Sequence, residues 1–225
     1  MAHAIGLAAA VCATACAPTP IATGSLGELQ SQWFYVPGPY TTVRSTREGD
    51  QPTRVTAERD GRWTVTIGDP PTTIAVVRLP DGRPATTSIS NPDRNETAVF
   101  EPPLPLMPAP GQTPPAVEET DVALYEGLSP PADARPSRTG TASRTFFAIE
   151  PTTWTIDGNT VPAQRMTHVL LLDFGAAKVR QRYESTAVEN RGVVRETMRE
   201  RITFLGVRVG GREEQFEVIE FIDER

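Results

Sequence analysis

The chain is poor in the residues that most site chemistries require. Its 225 residues hold two cysteines, Cys12 and Cys16, two histidines, His3 and His168, and one lysine, Lys178. A structural zinc site wants paired Cys or His ligands, and no second Cys pair or nearby His pair exists. The CxxxC spacing of Cys12 and Cys16 does not match the CxxC of a redox pair. No apolar run approaches the roughly 20 residues that a membrane-spanning helix needs. The net charge is −6, carried almost wholly by arginines against carboxylates. No basic stripe stands ready to neutralise phosphates, which argues against a nucleic-acid partner. GxSxG, P-loop, HExxH, EF-hand and strand-linked GxGxxG patterns are all missing. We therefore expect no metal, no cofactor and no catalytic residue.

What is present is turn chemistry. There are 22 prolines and 17 glycines, with 38% hydrophobic residues. Helices tolerate neither Pro nor many Gly, so strands joined by loops are expected, in a single β domain over residues 32–225. Arg54–Gly68 and Thr73–Ser90 each carry an Asp-Gly turn between β-prone arms. In the first, a three-residue Arg59–Gly61 loop with Gly61 left-handed would set Val55 opposite Val65 and collect the apolar side chains on one face. In the second, Pro80 presets the turn, and the same loop length opposes Val77 to Ala85. Pro84 cannot donate to a ladder, which predicts an edge strand or a late start. Glu101–Pro115 has seven prolines in fifteen residues and reads as an extended connector, within a Pro-rich stretch over 101–140. Val117–Tyr125 is ambiguous and has the length of two helical turns. Arg165–Asp173 is apolar on both sides and predicts a central strand. In Val193–Phe204, Val194, Met198, Ile202 and Phe204 share one strand face, with arginines on the other.

The cysteines fit export. Ile5–Ala15 is an uncharged stretch of about eleven small or apolar residues, the length of a signal-peptide apolar region. Thr14-Ala15-Cys16 resembles a bacterial lipobox, although no Lys or Arg precedes it and Ala13 stands where leucine is usual. The expectation is a leader over 1–15, diacylation of Cys16, and a flexible tether over 16–31. This would anchor the chain in the cell envelope facing the periplasm. Ala17 stands where aspartate retains lipoproteins at the inner membrane of enteric bacteria, so the outer membrane is the expected address.

Three features resemble a group of bacterial periplasmic proteins and lipoproteins of unassigned function, related in shape to the lipoprotein-carrier LolA fold. They are the Pro/Leu segment Phe100–Pro108, the Val161-Pro162-Ala163 step before a long apolar strand, and Tyr183 followed by Asn190–Arg195. The last is similar to that group's W/Y … GxGxVR turn, with one glycine here in place of two. The resemblance implies a curled antiparallel sheet, a half-barrel with little helix. It also implies a lipid- or envelope-associated protein that is not an enzyme, and it transfers no catalytic residue.

Candidate sites follow. Trp63, Trp154, Phe147 and Leu106 would line an apolar ligand if the sheet forms a trough, and are otherwise core. His168, among Met166, Leu170 and Leu171, reads as a half-buried, hydrogen-bonded core residue. As a general base it would need a hydroxyl and an acid. Asp157, Asp173 and Glu150 could make a carboxylate pair, as in glycosidases, but each lies beside a turn, where acids are usual. Arg191–Arg201, interleaved with Glu196 and Glu200, reads as a solvated face with cross-strand pairs. The leading expectation is a concave face that binds a lipid or another apolar partner. The alternatives are an interaction module filled by its own Pro/Leu segment, and an unrecognised hydrolase. An open cavity of several hundred Å³, a filled interior, or His168 gathered with acid and hydroxyl would separate them.

Overall fold

The computed structural model describes residue 34 and residues 38–131, 133–156 and 158–223. The leader, Cys16 and Asp157 lie outside the described residues. Strands succeed one another in chain order: β1 (Tyr40–Thr46), β2 (Gly49–Val55), β3 (Arg62–Ile67), β4 (Thr72–Arg78), β5 (Pro84–Asn91), β6 (Glu96–Pro105) and β7 (Ala116–Glu126). Longer strands follow: β8 (Arg138–Ile156), β9 (Asn159–Phe174), β10 (Ala177–Val188), β11 (Gly192–Phe204), the short β12 (Val207–Gly210) and β13 (Glu213–Asp223). From β1 to β12, each strand pairs antiparallel with the next. β11 then pairs with both β10 and β13, and β13 pairs with β1.

The sheet is therefore a closed barrel of twelve strands, not the half-barrel expected, with β12 extending the β11–β13 hairpin. Closure depends on Tyr40–Thr46 meeting Phe216–Asp223, the two ends of the described chain. Local patterning cannot reveal such a pairing. Closure also removes the sheet edges that a half-barrel would expose.

The Asp60-Gly61 hairpin has the expected Val55–Val65 register. Its loop is two residues, because Asp60 and Gly61 are both left-handed and Arg59 and Arg62 exchange backbone hydrogen bonds. That geometry matches strand twist, and the extra residue is taken up between Thr56 and Arg59. The Pro80 hairpin opposes Val77 to Ala85, and Pro84 is the first residue of its strand. The expected connector is partly sheet. Glu101–Pro105 continues β6, and Val117–Tyr125 is strand rather than helix. Nine register pairs tie Ala116–Leu124 to β8, and tertiary pairing overrides a weak local preference.

One end of the barrel, the proximal end, holds Phe34, the start of β1 and the end of β13. The Phe204–Val207 turn lies at the other, distal end. Beyond the proximal rim, β8 outruns β7 at Phe146 and β9 outruns β10 at Ala163. Residues 148–156 and 158–162 thus form a two-stranded arm. Outward positions on β10 and β11 carry Lys178, Arg180, Arg182, Glu184, Arg195, Arg199 and Arg201, all exposed. A barrel that crosses a bilayer needs an outward apolar band instead, so this wall faces water.

Candidate functional site

The strand alternation that sends these charges outward sends the intervening residues inward. On the β6–β9 side, Phe100, Leu104, Val122, Ala142 and Leu170 form one buried cluster. Near the proximal end, Phe34, Met107, Phe146 and Met166 form another. Val55, Trp63, Val76 and Leu106 form a third. Leu104, Leu106 and Met107 all come from the Pro-rich segment, which is held inside by two arginines. Arg144 donates Nη1 to the Pro105 carbonyl at 2.7 Å, and Arg83 donates to the Met107 carbonyl at 3.0 Å.

Between these clusters lies a cavity of about 180 Å³. Its apolar wall includes Phe34, Val55, Trp63, Val76 and Leu106, and its polar wall Arg44, Thr53, Arg144, His168, Tyr183 and Glu196. Arg44 lies on β1, two residues from inward Thr42, and its guanidinium sits 4.0 Å over the Phe216 ring of β13. Glu196 lies opposite Phe216 on β11 and accepts from Ser185 Oγ of β10 at 2.7 Å. His168 stacks on Tyr183 at 4.7 Å and touches Phe146 at 5.9 Å. Tyr183 donates its hydroxyl to Gln181 at 2.7 Å.

The electrostatics follow from burial. Desolvation pushes the Glu196 carboxyl above its usual range, against the pull of Ser185 and Arg44. It lowers Arg44, against Glu196 and Tyr40, and raises the Tyr40 phenol to about 12. It also holds His168 well below its ordinary value, helped by the Arg144 charge, so this imidazole is neutral. Among the described residues, Arg44 Nε, Thr53 Oγ1 and His168 Nδ1 are buried here without a hydrogen-bond partner.

Of the four expected lining residues, Trp63 and Leu106 meet in the cavity wall. Phe147 is the extra residue of a β-bulge beside Phe146 and is 37% exposed. Trp154 packs on the arm with Ile156, Val161, Val188 and Val194, away from the cavity. An open groove of about 420 Å³ runs beside it, between Ile156, Pro162 and Arg191. His168 is a core residue as expected, but it is fully buried rather than half-buried, and its Nδ1 lacks the hydrogen bond expected of it. Ser185 donates to Glu196, so the nucleophile–base hydrogen bond of a triad is not formed between Ser185 and His168. Asp173 pairs with Lys178 at 2.7 Å, and Glu150 is exposed on the arm opposite Arg165. Nine residues of extended β8 separate their register positions, about 30 Å, so they form no carboxylate pair.

Arg195 and Arg199 face Glu217 and Glu213 across the strands, as cross-strand pairing predicts. Glu196 and Glu200 are not on that solvated face. They turn inward with Met198, and Glu200 is bound by Arg94 at 2.9 Å and Gln181 at 2.7 Å. The period of two that placed Met198 inward implied this for both glutamates. Arg44, Thr53 and Arg144 carried no comparable signal. Among the described residues, no three His, Cys, Asp or Glu side chains gather to hold a metal.

No family model matches the chain, and no curated protein matches it. Among solved structures it is similar to the hypothetical lipoprotein YmcC from Escherichia coli. The identity is 13% and the TM-score 0.42, over 88% of this chain and 93% of that one. A likeness at that level decides nothing about this chain.

Proposed function

We propose that this chain is a lipid-anchored, non-enzymatic protein of the bacterial cell envelope, whose barrel is an interaction module filled by its own Pro-rich segment. The observation that carries this is the position of Leu104, Leu106 and Met107 inside the barrel. They leave a cavity of about 180 Å³. Drug-sized ligands need about 300–1,000 Å³, and an acyl lipid needs still more. The geometry thus favours the filled interior over the lipid-binding trough, and Ser185 engaged with Glu196 disfavours the hydrolase.

The anchor rests on the lipobox-like Thr14-Ala15-Cys16. The water-facing wall supports a barrel held at the membrane by a tether, with the chain entering at the proximal end. At the distal end, the β11–β12 turn exposes Phe204, Leu205, Val207 and Val209 at 51–73%. A barrel tethered proximally presents this tip toward another envelope protein.

Mass analysis of protein purified from membranes, beside Cys16→Ser, tests the proposal. A diacylglyceryl mass on a chain starting at Cys16, lost in the variant, is expected, with no stoichiometric lipid in an organic extract. An unmodified chain retaining Met1 would sink the anchor. One extractable lipid per chain would sink the filled interior and restore the carrier.

A further inference from the structure

We infer that the interior cavity is a binding site for a small single-ring organic anion, an aromatic carboxylate. This goes beyond the anchored-module proposal, which stands whether or not the cavity is occupied. The argument begins with unmet hydrogen bonds. Buried polar groups are nearly always paired, because leaving one bare costs about 1–3 kcal/mol. Here Arg44 Nε, Thr53 Oγ1 and His168 Nδ1 are bare together, on three strands that line one void. Thr53 is 1% exposed and His168 3%. Isolated packing faults would scatter through the core, whereas these three converge on the same space.

Charge sets the sign of the ligand. Arg44 and Arg144 line the cavity against one carboxylate, Glu196, and Arg191 reaches its margin from an exposed position. A cation withdrawn from water needs a partner, and a guanidinium fits a carboxylate with two parallel hydrogen bonds. The walls set the shape. Trp63, Tyr40, Phe216, Tyr183 and His168 surround the space with ring faces and edges. Such rings favour a flat partner in offset or edge-on contact. Size sets the limit: an apolar cavity of about 150 Å³ holds benzene, so about 180 Å³ accommodates one ring with a small substituent and excludes an acyl chain. The bound carboxylate would accept from Arg44 Nε and from Thr53 Oγ1, while its ring lies between Trp63 and the His168–Tyr183 stack.

The test is calorimetric titration of the full-length protein in detergent with benzoate, and separately with benzamide and with acetate. Benzamide keeps the ring and loses the charge. Acetate keeps the charge and loses the ring. Saturable one-to-one binding of benzoate is expected, at least tenfold tighter than either. Quenching of tryptophan fluorescence should accompany it and disappear in Trp63→Phe. Arg44→Met should weaken benzoate at least tenfold and leave benzamide within twofold. If Arg44→Met does not fold, Thr53→Val, which keeps the shape and removes the hydroxyl that donates to the carboxylate, should weaken benzoate severalfold. No binding at millimolar benzoate overturns the inference. Equal binding of benzoate and benzamide, or benzoate binding unchanged by the variants, also overturns it.

Discussion

On the β6–β9 side of the barrel, the inward residues Phe100, Leu104, Val122, Ala142 and Leu170 close on one another, and Leu104 has no exposed surface. Across the interior, the same inward alternation on β1, β2 and β11 brings Thr42, Arg44, Thr53 and Glu196 to face a void. The two sides share one strand geometry and differ only in what fills the inward positions. The packed side gains burial and dispersion. The hollow side keeps charged and hydroxyl groups out of water with incomplete partners, which lowers stability. A wall this regular did not need those polar residues for folding, so the difference separates a side that holds the barrel together from a side that costs it stability.

The largest expected effect breaks the packed side. Leu104→Ala should lower unfolding free energy by about 3–5 kcal/mol, since a fully buried leucine in a rigid cluster leaves a cavity that cannot collapse. Val65→Ala, whose side chain already borders the void, should cost under about 1.5 kcal/mol. Urea denaturation of both variants checks the comparison, and equal losses would show that the hollow side is packed as tightly as its opposite.

Next is a pH effect on the hollow side. His168 is neutral in the fold, with its pKa held below the ordinary 6.5. The unfolded chain takes up a proton near pH 6.5 that the folded chain refuses. The contribution is therefore present above pH 6.5 and is lost as pH falls toward the folded value. The slope approaches about 1.4 kcal/mol per pH unit. His168→Phe keeps the stack with Tyr183 and Phe146 and should remove that slope between pH 7.5 and 5.5. A variant with the wild-type slope would mean that His168 titrates normally in the fold.

Much of the wall was legible in the sequence. Turn residues placed the hairpins, and the period of two placed Met198, Val65 and Trp63 inward. Two things were not legible. Closure rests on a β1–β13 pairing between residues about 175 apart, which no local signal encodes. The Pro-rich segment was open to two readings, a spacer or a filler of the interior, and nothing local chose between them; Leu104, Leu106 and Met107 are among its most buried residues because the closed barrel gives them an interior to fill. Glu196 was placed on the arginine face although its parity with Met198 put it opposite. The expectation of a solvated charge run overrode the alternation that carried the information.

Glu196 gives a smaller effect of opposite sign. Its pKa is raised, so the folded state holds its proton more tightly than the unfolded chain does. Its favourable contribution is complete below the unfolded value of 4.5 and is lost as pH rises through the folded value. Glu196→Gln stays neutral throughout. Its stability relative to wild type should rise as pH is taken from 4.5 to 7, the reverse of the His168 trend, in denaturation midpoints measured across that range. A variant that weakens steadily with rising pH would mean that the Arg44 attraction outweighs desolvation at this position.

The smallest effect sharpens the comparison most, because it changes one atom pair. Thr53 is 1% exposed and its hydroxyl has no hydrogen-bond partner. Valine has the same shape, and replacing a bare buried hydroxyl with a methyl removes a desolvation penalty without opening space. Thr53→Val should therefore stabilise the barrel by about 1 kcal/mol, a rise of a few degrees in thermal midpoint. The same exchange at Thr120, whose hydroxyl donates to the Pro102 carbonyl, should destabilise instead, since it leaves that carbonyl unpaired. The pair of variants distinguishes a hydroxyl kept for the fold from one kept against it. If Thr53→Val also destabilises, that hydroxyl is paired in solution, and the hollow side is better satisfied than its geometry indicates.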